Sequence, residues 1–291
     1  MKELIGTGTA LITPFNVDLS IDFLALERII EQQIAGGTNY FVIVGTTGES
    51  PSLTEQEKSA IIVHIKKIND GRLPLILGVG GNNTMRVVEE LKTRNTDGIS
   101  AILSVSPYYN KPNQTGIIHH YTALANASNL PLILYNVPSR TGSNMTAATQ
   151  LELAQHPNIV ATKEASGNME QVMAILANKP KDFLVISGDD ALTFPILACG
   201  GLGVISVINH VYPKTFSGMV QSALKGDWES AKKAHYQVLE AAIAIFEDGS
   251  PGGIKTMLNE LGLCKTTVRL PLYPVNDSVN LNLRRLAKLA H

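Results

Sequence analysis

The chain is sparing with cysteine: Cys199 and Cys264 are the only two in 291 residues, far apart and without a CxxC pair. That excludes a disulfide framework or a thiolate metal site and fits a reduced, cytoplasmic location. Neither sign of charge dominates, since 24 basic against 25 acidic side chains leave a net charge of −1. A dedicated nucleic-acid binder would show a basic excess. Charged residues are only 17% and hydrophobic ones 44%, which rules out a disordered chain and allows a large core. No secretory leader is expected, because the stretch from Met1 to Asn16 has one lysine, then Glu3, and an apolar run broken by Gly6 and Gly8. Ala191 to Pro213 carries no charge, and a bilayer span needs about 20 apolar residues. Pro195, Gly200-Gly201, Gly203, Asn209 and His210 interrupt it, so it reads as a buried helix, a glycine turn and a buried strand. Walker A, Rossmann and HExxH motifs are missing, and no metal or phosphate site is expected.

What is present is alternation. Runs rich in β-branched and aliphatic residues lie near Gly8 to Thr13, Tyr40 to Val44, Leu75 to Val79, Ile99 to Val105, Leu130 to Tyr135, Ile159 to Lys163, Phe183 to Ser187 and Val204 to Val207. Most are continuously apolar, as parallel strands covered on both faces are. Helical patterns sit between them. Phe23 to Ala35 carries Leu26, Ile29, Ile30 and Ile34 on one face, and Thr54 to Asn69 opens with the capping-box pair Thr54 and Glu57. Ala147 to Gln155, Met169 to Asn178 and Thr215 to Leu224 continue the series. Eight strand–helix units predict a closed (β/α)₈ barrel, a fold of about 250 residues. After Lys225 the strand pattern stops. Asp227 to Phe246, Gly253 to Leu261 and Asn280 to Ala290 read as helices, so the expected division is a catalytic barrel over 1–225 and a helical domain over 226–291.

Active sites of such barrels gather at the C-terminal strand ends. That rule brings together Gly45-Thr46-Thr47-Gly48-Glu49, Pro107-Tyr108-Tyr109-Asn110-Lys111, Tyr135-Asn136-Val137-Pro138-Ser139-Arg140, Lys163-Glu164-Ala165-Ser166 and Gly188-Asp189-Asp190. Lys163 is the most informative. Alternation places it on one face with Ile159 and Ala161. If that face is the interior, the amine sits in an apolar mouth that disfavours the charged form, as a Schiff-base nucleophile requires. An arbitrary lysine is far more often a solvated surface group. Thr46 and Thr47 suit a carboxylate or a relayed proton, or an ordinary turn. Tyr135 suits a proton carrier or a satisfied core tyrosine, and Arg140 a carboxylate clamp or a surface ion pair. Tyr108-Tyr109 equally suit an interface. Asp189-Asp190 read as caps rather than metal ligands, and His119-His120 as half-exposed residues of a helix.

At this spacing, Gly45-Thr46-Thr47-Gly48-Glu49, Tyr135-Asn136-Val137-Pro138-Ser139-Arg140-Thr141-Gly142 and Lys163-Glu164-Ala165-Ser166-Gly167 resemble the dihydrodipicolinate synthases. These belong to the pyruvate-dependent class I aldolases, with N-acetylneuraminate lyase. The resemblance spans essentially the whole chain. It implies condensation of pyruvate with L-aspartate 4-semialdehyde in diaminopimelate and lysine biosynthesis, with no metal or organic cofactor. Lys163 would form the imine; Tyr135, Thr46 and Tyr109 would relay protons, Tyr109 crossing from a neighbouring subunit of a homotetramer built as a dimer of dimers. Thr47 would hold the pyruvate carboxylate and Arg140 that of the semialdehyde. Gly188, and Ile205 through its carbonyl, would line the lysine pocket. Two alternatives stay open: another pyruvate aldolase acting on a sugar acid or hydroxy-oxoglutarate, and a catalytically silent barrel that binds keto acids.

One departure from the family pattern stands out. In feedback-inhibited bacterial members, lysine binds between subunits, where an acid shortly after the third strand meets its ammonium. Here Asn82 fits, but Arg86 stands in place of the acid, and Glu55 and Lys58 replace histidines often found nearby. A cation facing a cation opposes binding, so weak or absent lysine inhibition is expected.

Overall fold

The structure is a computed structural model and describes residues 2–290; Met1 and His291, the outer limits of the two expected domains, lie outside the described residues. Eight strands are all parallel and hydrogen-bonded in chain order into a closed barrel. They are β1 Gly6–Ala10, β2 Tyr40–Ile43, β3 Leu75–Gly78, β4 Ala101–Val105, β5 Leu132–Asn136, β6 Ile159–Glu164, β7 Leu184–Ser187 and β8 Gly203–Ser206. The first helices are α1 Phe23–Ala35, α2 Glu55–Asn69, α3 Thr84–Thr93 and α4 Gln114–Ala127. After β5 come α5 Pro138–Thr141 and α6 Ala147–Leu153, then α7 Met169–Asn178, α8 Thr193–Ala198 and α9 Pro213–Leu224. Beyond the last strand lie α10 Trp228–Ala244, α11 Gly252–Glu260 and α12 Asp277–Ala287.

Local chemistry explains most boundaries. Thr54 caps α2 with a complete capping box: its side chain accepts from the Glu57 N–H while the Glu57 carboxylate accepts from the Thr54 N–H. Asp22, Asn83, Asn113, Thr146, Asn168, Asp227 and Asn276 cap seven other helices in the same sense, each accepting a first-turn N–H. The expected helix Phe23 to Ala35 is found at those limits; the expected first strand, Gly8 to Thr13, instead begins and ends earlier, at Gly6–Ala10. That strand reads weakly because its residues, Gly-Thr-Gly-Thr-Ala, are small: Gly8 leaves room for the Tyr40 ring, which a Cβ there would meet at 2.1 Å.

Two apolar layers result. Ala10, Val42, Ile76, Ala101, Leu103, Ile133, Ala161, Leu184, Ile186 and Ile205 fill the barrel interior with Tyr40 and Tyr135. A second cluster lies between strands and helices and runs on without a break into Ala231, Val238, Ile245, Ile254, Leu258, Leu283 and Leu286 of the C-terminal helices. The seam closing β8 onto β1 is polar instead. Asn209 Nδ2 donates to Thr9 Oγ1, Gln33 Oε1 and Thr38 Oγ1 at 2.8–2.9 Å, and Asn209 Oδ1 accepts from Ser217. Beside it, His210 is fully buried, and burial lowers its pKa to about 4. The ring is neutral: Nε2 accepts from Ile12 N–H, so Nδ1 donates to Val207 O.

Candidate active site

The strand ends on one rim surround a cavity with an inner part of about 180 Å³ and an outer part of about 540 Å³. Thr46, Thr47, Tyr135, Val137, Arg140 and Lys163 line both parts, so the loops after β2, β5 and β6 converge. Val42, Val44, Leu103 and Val105 make the inner wall apolar. Ala242 and Ile243 of α10, with Phe246 just beyond it, close the outer wall. This contribution from the C-terminal helices was not foreseen from sequence; Ile243 and Phe246, 53% and 41% exposed, carry no signal there beyond an apolar face.

Lys163 reaches this mouth through an irregularity. Strand β6 pairs Leu132 with Ile159 but Ile133 with Ala161, so the register shifts at Val160. Ala161 therefore faces the interior while Ile159 packs in the outer layer, and Val160 touches the inner cluster. The expectation that Ile159 shares the inward face is thus corrected: the bulge consumes one step of the alternation. Lys163 still points inward and is 5% exposed. Its Nζ lies 4.2 Å from the ring centroid of Tyr135, its register partner on β5. Among the described residues it has no ion pair or hydrogen bond. Gly188 gives it space, because a Cβ there would stand 2.9 Å from Lys163 Cγ and 3.0 Å from Cε.

The strand end is held rigidly from outside. The neighbouring Glu164, 1% exposed, accepts from Asn136 Nδ2 at 3.1 Å, Gln150 Nε2 at 2.6 Å and the Ser166 N–H at 2.8 Å, and from Gln171 Nε2 at 3.3 Å. Asn136 in turn accepts the Met145 N–H. A buried carboxylate satisfied only by neutral donors fixes β5 and β6 side by side without placing a cation beside Lys163.

The remaining expected residues divide. Thr47 is buried and Thr46 exposed at the cavity wall. Arg140 is exposed, lines both parts of the cavity and has no ion-pair partner among the described residues. Ile205 is buried in the interior layer and is not among the residues lining the cavity. Tyr109 is 86% exposed and does not line the cavity either; Tyr108 does. Asp189 accepts from the Ala191 and Leu192 N–H groups, whereas Asp190 reaches across to the Val207 and Ile208 N–H groups of the next loop. His119 is exposed and His120 buried rather than both being half-exposed, since the helix turns only one of two neighbours inward. In the region noted for its departure, Asn82 Nδ2 donates to Tyr108 O, Arg86 is exposed, and Glu55 pairs with Lys58 and Arg94.

Fold and site together define a class: parallel (β/α)₈ barrels that present a desolvated lysine and a tyrosine at an open mouth. The family is then plain. The dihydrodipicolinate synthetase family profile matches residues 3–290, and the chain belongs to that family. It is 52% identical to the 4-hydroxy-tetrahydrodipicolinate synthase of Flavobacterium psychrophilum over 99% of both chains. The enzyme of the same name from Parabacteroides distasonis is 53% identical over 94% of this chain and 92% of its own. Among solved structures, the dihydrodipicolinate synthase of Thermotoga maritima superposes with a TM-score of 0.96 at 34% identity, covering 99% of each chain. That of Acinetobacter baumannii, solved in complex with pyruvate, gives 0.95 at 37% identity and the same coverage.

Proposed function

We propose that the protein is a 4-hydroxy-tetrahydrodipicolinate synthase, a Schiff-base lyase that condenses pyruvate with L-aspartate 4-semialdehyde in diaminopimelate and lysine biosynthesis. The observation that carries the reading is the Lys163 amine, desolvated over the Tyr135 ring and tied to no acid among the described residues. The Lys163 nitrogen adds to the keto carbon of pyruvate, and loss of water leaves a protonated imine. That imine draws electrons from the methyl carbon, so a base can take a methyl proton and form an enamine. Enamine attack on the aldehyde carbon makes the new C–C bond, the aldehyde oxygen takes up a proton, and the semialdehyde amine then closes the ring by displacing Lys163. The imine itself is the electron sink, so this chemistry uses no metal or organic cofactor.

Tyr135 moves the protons as general acid and base, with Thr46 as its relay. Thr47 holds the pyruvate carboxylate in the inner part of the cavity. Arg140, exposed on the rim, clamps the carboxylate of the semialdehyde. Gly188 and the Ile205 carbonyl border the lysine. Tyr109 completes the relay from a second copy of the chain in a homotetramer; its exposure beside the mouth, with a backbone φ of +75°, supports a role outside its own subunit. The catalytic unit is the barrel, 1–225, with 226–291 as a helical domain. Free Cys199 and Cys264 support a cytoplasmic setting. Borohydride reduction in the presence of pyruvate, followed by peptide mass mapping, tests the reading. A reduced adduct on Lys163 and turnover with aspartate semialdehyde are expected. No adduct removes the mechanism, and an adduct without turnover favours another pyruvate aldolase.

A further inference from the structure

The loop that carries Thr46 and Thr47 has an unfavourable backbone. Val44 and Glu49, at its two ends, both adopt the left-handed conformation at φ +55°, which a β-branched residue rarely tolerates. Inside the loop only two turn bonds form, from the Gly48 N–H to Gly45 O and from the Glu49 N–H to Thr46 O. Such a conformation persists only where surrounding structure over-determines it. Here the surroundings come from far away in sequence. Glu49 and Lys255, on α11, are both fully buried, and Lys255 Nζ lies 2.5 Å from Glu49 Oε1. Lys255 Nζ also donates to Thr267 O at 2.9 Å and sits 4.4 Å from the Phe15 ring centroid. The second carboxylate oxygen of Glu49 accepts from the Arg269 N–H at 3.0 Å. The Arg269 guanidinium in turn binds Glu57 and the carbonyls of Leu19 and Ser52, tying the segment that follows the loop to the turn after β1. From below, Thr13 Oγ1 donates to Gly48 O at 2.7 Å.

We propose that Glu49 and Lys255 are positioning residues: their buried ion pair fixes the backbone of residues 44–49 and so aims Thr46 and Thr47 at a keto acid held on Lys163. Neither side chain lines the inner cavity, so the pair acts through the loop and not on substrate. Burial weakens the charged form of Lys255 while the Glu49 charge beside it supports that form. The same pair makes the C-terminal helices a condition of catalysis, because half of the brace is theirs. This role rests on the reading of Lys163 as the imine-forming amine.

The test compares the wild-type chain with the double variant Glu49→Gln/Lys255→Met, in which no unpaired charge is left buried, and with Thr13→Val, which removes only the lower support. Kinetics are read together with thermal melting and with hydrogen exchange at the amides of residues 45–49. In the double variant the pyruvate KM is expected to rise about tenfold and kcat to fall about tenfold, with amide exchange in the loop at least tenfold faster. Thr13→Val is expected to move the same quantities by about threefold at an unchanged melting temperature. A folded double variant with wild-type constants and unchanged loop exchange overturns the proposal. If the double variant does not fold, wild-type behaviour of Thr13→Val overturns it. Pyruvate trapping on the wild type separates the two ideas: absence of an adduct there condemns the Lys163 mechanism, while loop exchange still reports on the brace.

Discussion

Two regions of this molecule bury a lysine over an aromatic ring and use it in opposite ways. Lys163 at the mouth is 5% exposed with its Nζ 4.2 Å from the Tyr135 centroid; Lys255 at the seam with the C-terminal helices is fully buried, 4.4 Å from that of Phe15. Burial and ring contact are therefore nearly the same. The difference is the acid. Lys255 has Glu49 and a carbonyl as direct partners, and the Glu49 charge opposes the burial that lowers its pKa. Lys163 has an acid next to it in sequence, but strand alternation turns Glu164 away into the outer layer, where Asn136, Gln150 and Gln171 satisfy it. A buried lysine becomes structural or chemical according to where the nearest carboxylate points.

The sharpest way to break this contrast is to exchange the groups themselves. Lys163→Arg keeps a long basic side chain but removes the nucleophile, and kcat/KM is expected to fall by at least about a thousandfold with no trapped adduct and little change in melting. Adduct formation elsewhere in that variant would show the wrong lysine had been chosen. Tyr135→Phe retains the ring under Lys163 and deletes only the proton carrier. Turnover is expected to drop about a hundredfold or more while the pyruvate adduct still traps on Lys163; near-normal turnover would take the hydroxyl out of the mechanism.

Lys255→Met should act on the other side of the contrast, on stability first. It strands the Glu49 carboxylate in the interior, at a cost of about 3–5 kcal/mol, and a fall in Tm on the order of 10 °C. A variant that melts like wild type would mean the pair contributes nothing to holding the seam. A milder perturbation is acid. Burial lowers His120 and His210 to about 4, so below pH 6.5 the unfolded chain binds their protons and the native one does not. Their stability contribution is complete above 6.5 and is lost as the pH falls towards 4. Asp190, raised to about 6 by burial, works against this between 3.8 and 6, with one proton against two. Melting temperature is thus expected to decline between pH 6.5 and 4; a flat or rising profile would contradict it. The smallest effect concerns free lysine. With Arg86 exposed and in place of the expected acid, half-inhibition at sub-millimolar lysine would refute the expectation of weak feedback.

Much of the fold was legible because period and punctuation agree. Capping residues at Thr54 and Asp227 announce helices that form within a residue or two of those points. Strands β2 to β8 read as apolar runs because both faces are covered, whereas β1 is nearly mute, its small residues yielding to the Tyr40 ring. The short helix α5 and the helix α3 escaped notice: one is a single turn started by Pro138, and the other is half exposed, with Val87, Val88 and Leu91 as its only buried residues. At the site, Lys163, Tyr135, Thr46, Thr47, Arg140 and Gly188 come together at the cavity, while Tyr109 and Ile205 do not line it within one chain.

What the sequence alone determined was local: which residues form strands, which cap helices, and which loop chemistry ends up on one rim, since alternation and capping involve neighbours a few positions apart. Tertiary structure decided what no spacing encodes. A single bulge at Val160 reset the face of Ile159 yet kept Lys163 inward. Glu49 met Lys255 across 206 positions, and Gln150 and Gln171 came to satisfy the Glu164 carboxylate that alternation turns outward. Those outcomes set the electrostatics of both lysines, because a charge in a low-dielectric interior answers to whatever packing brings within a few ångströms and not to its neighbours in the chain.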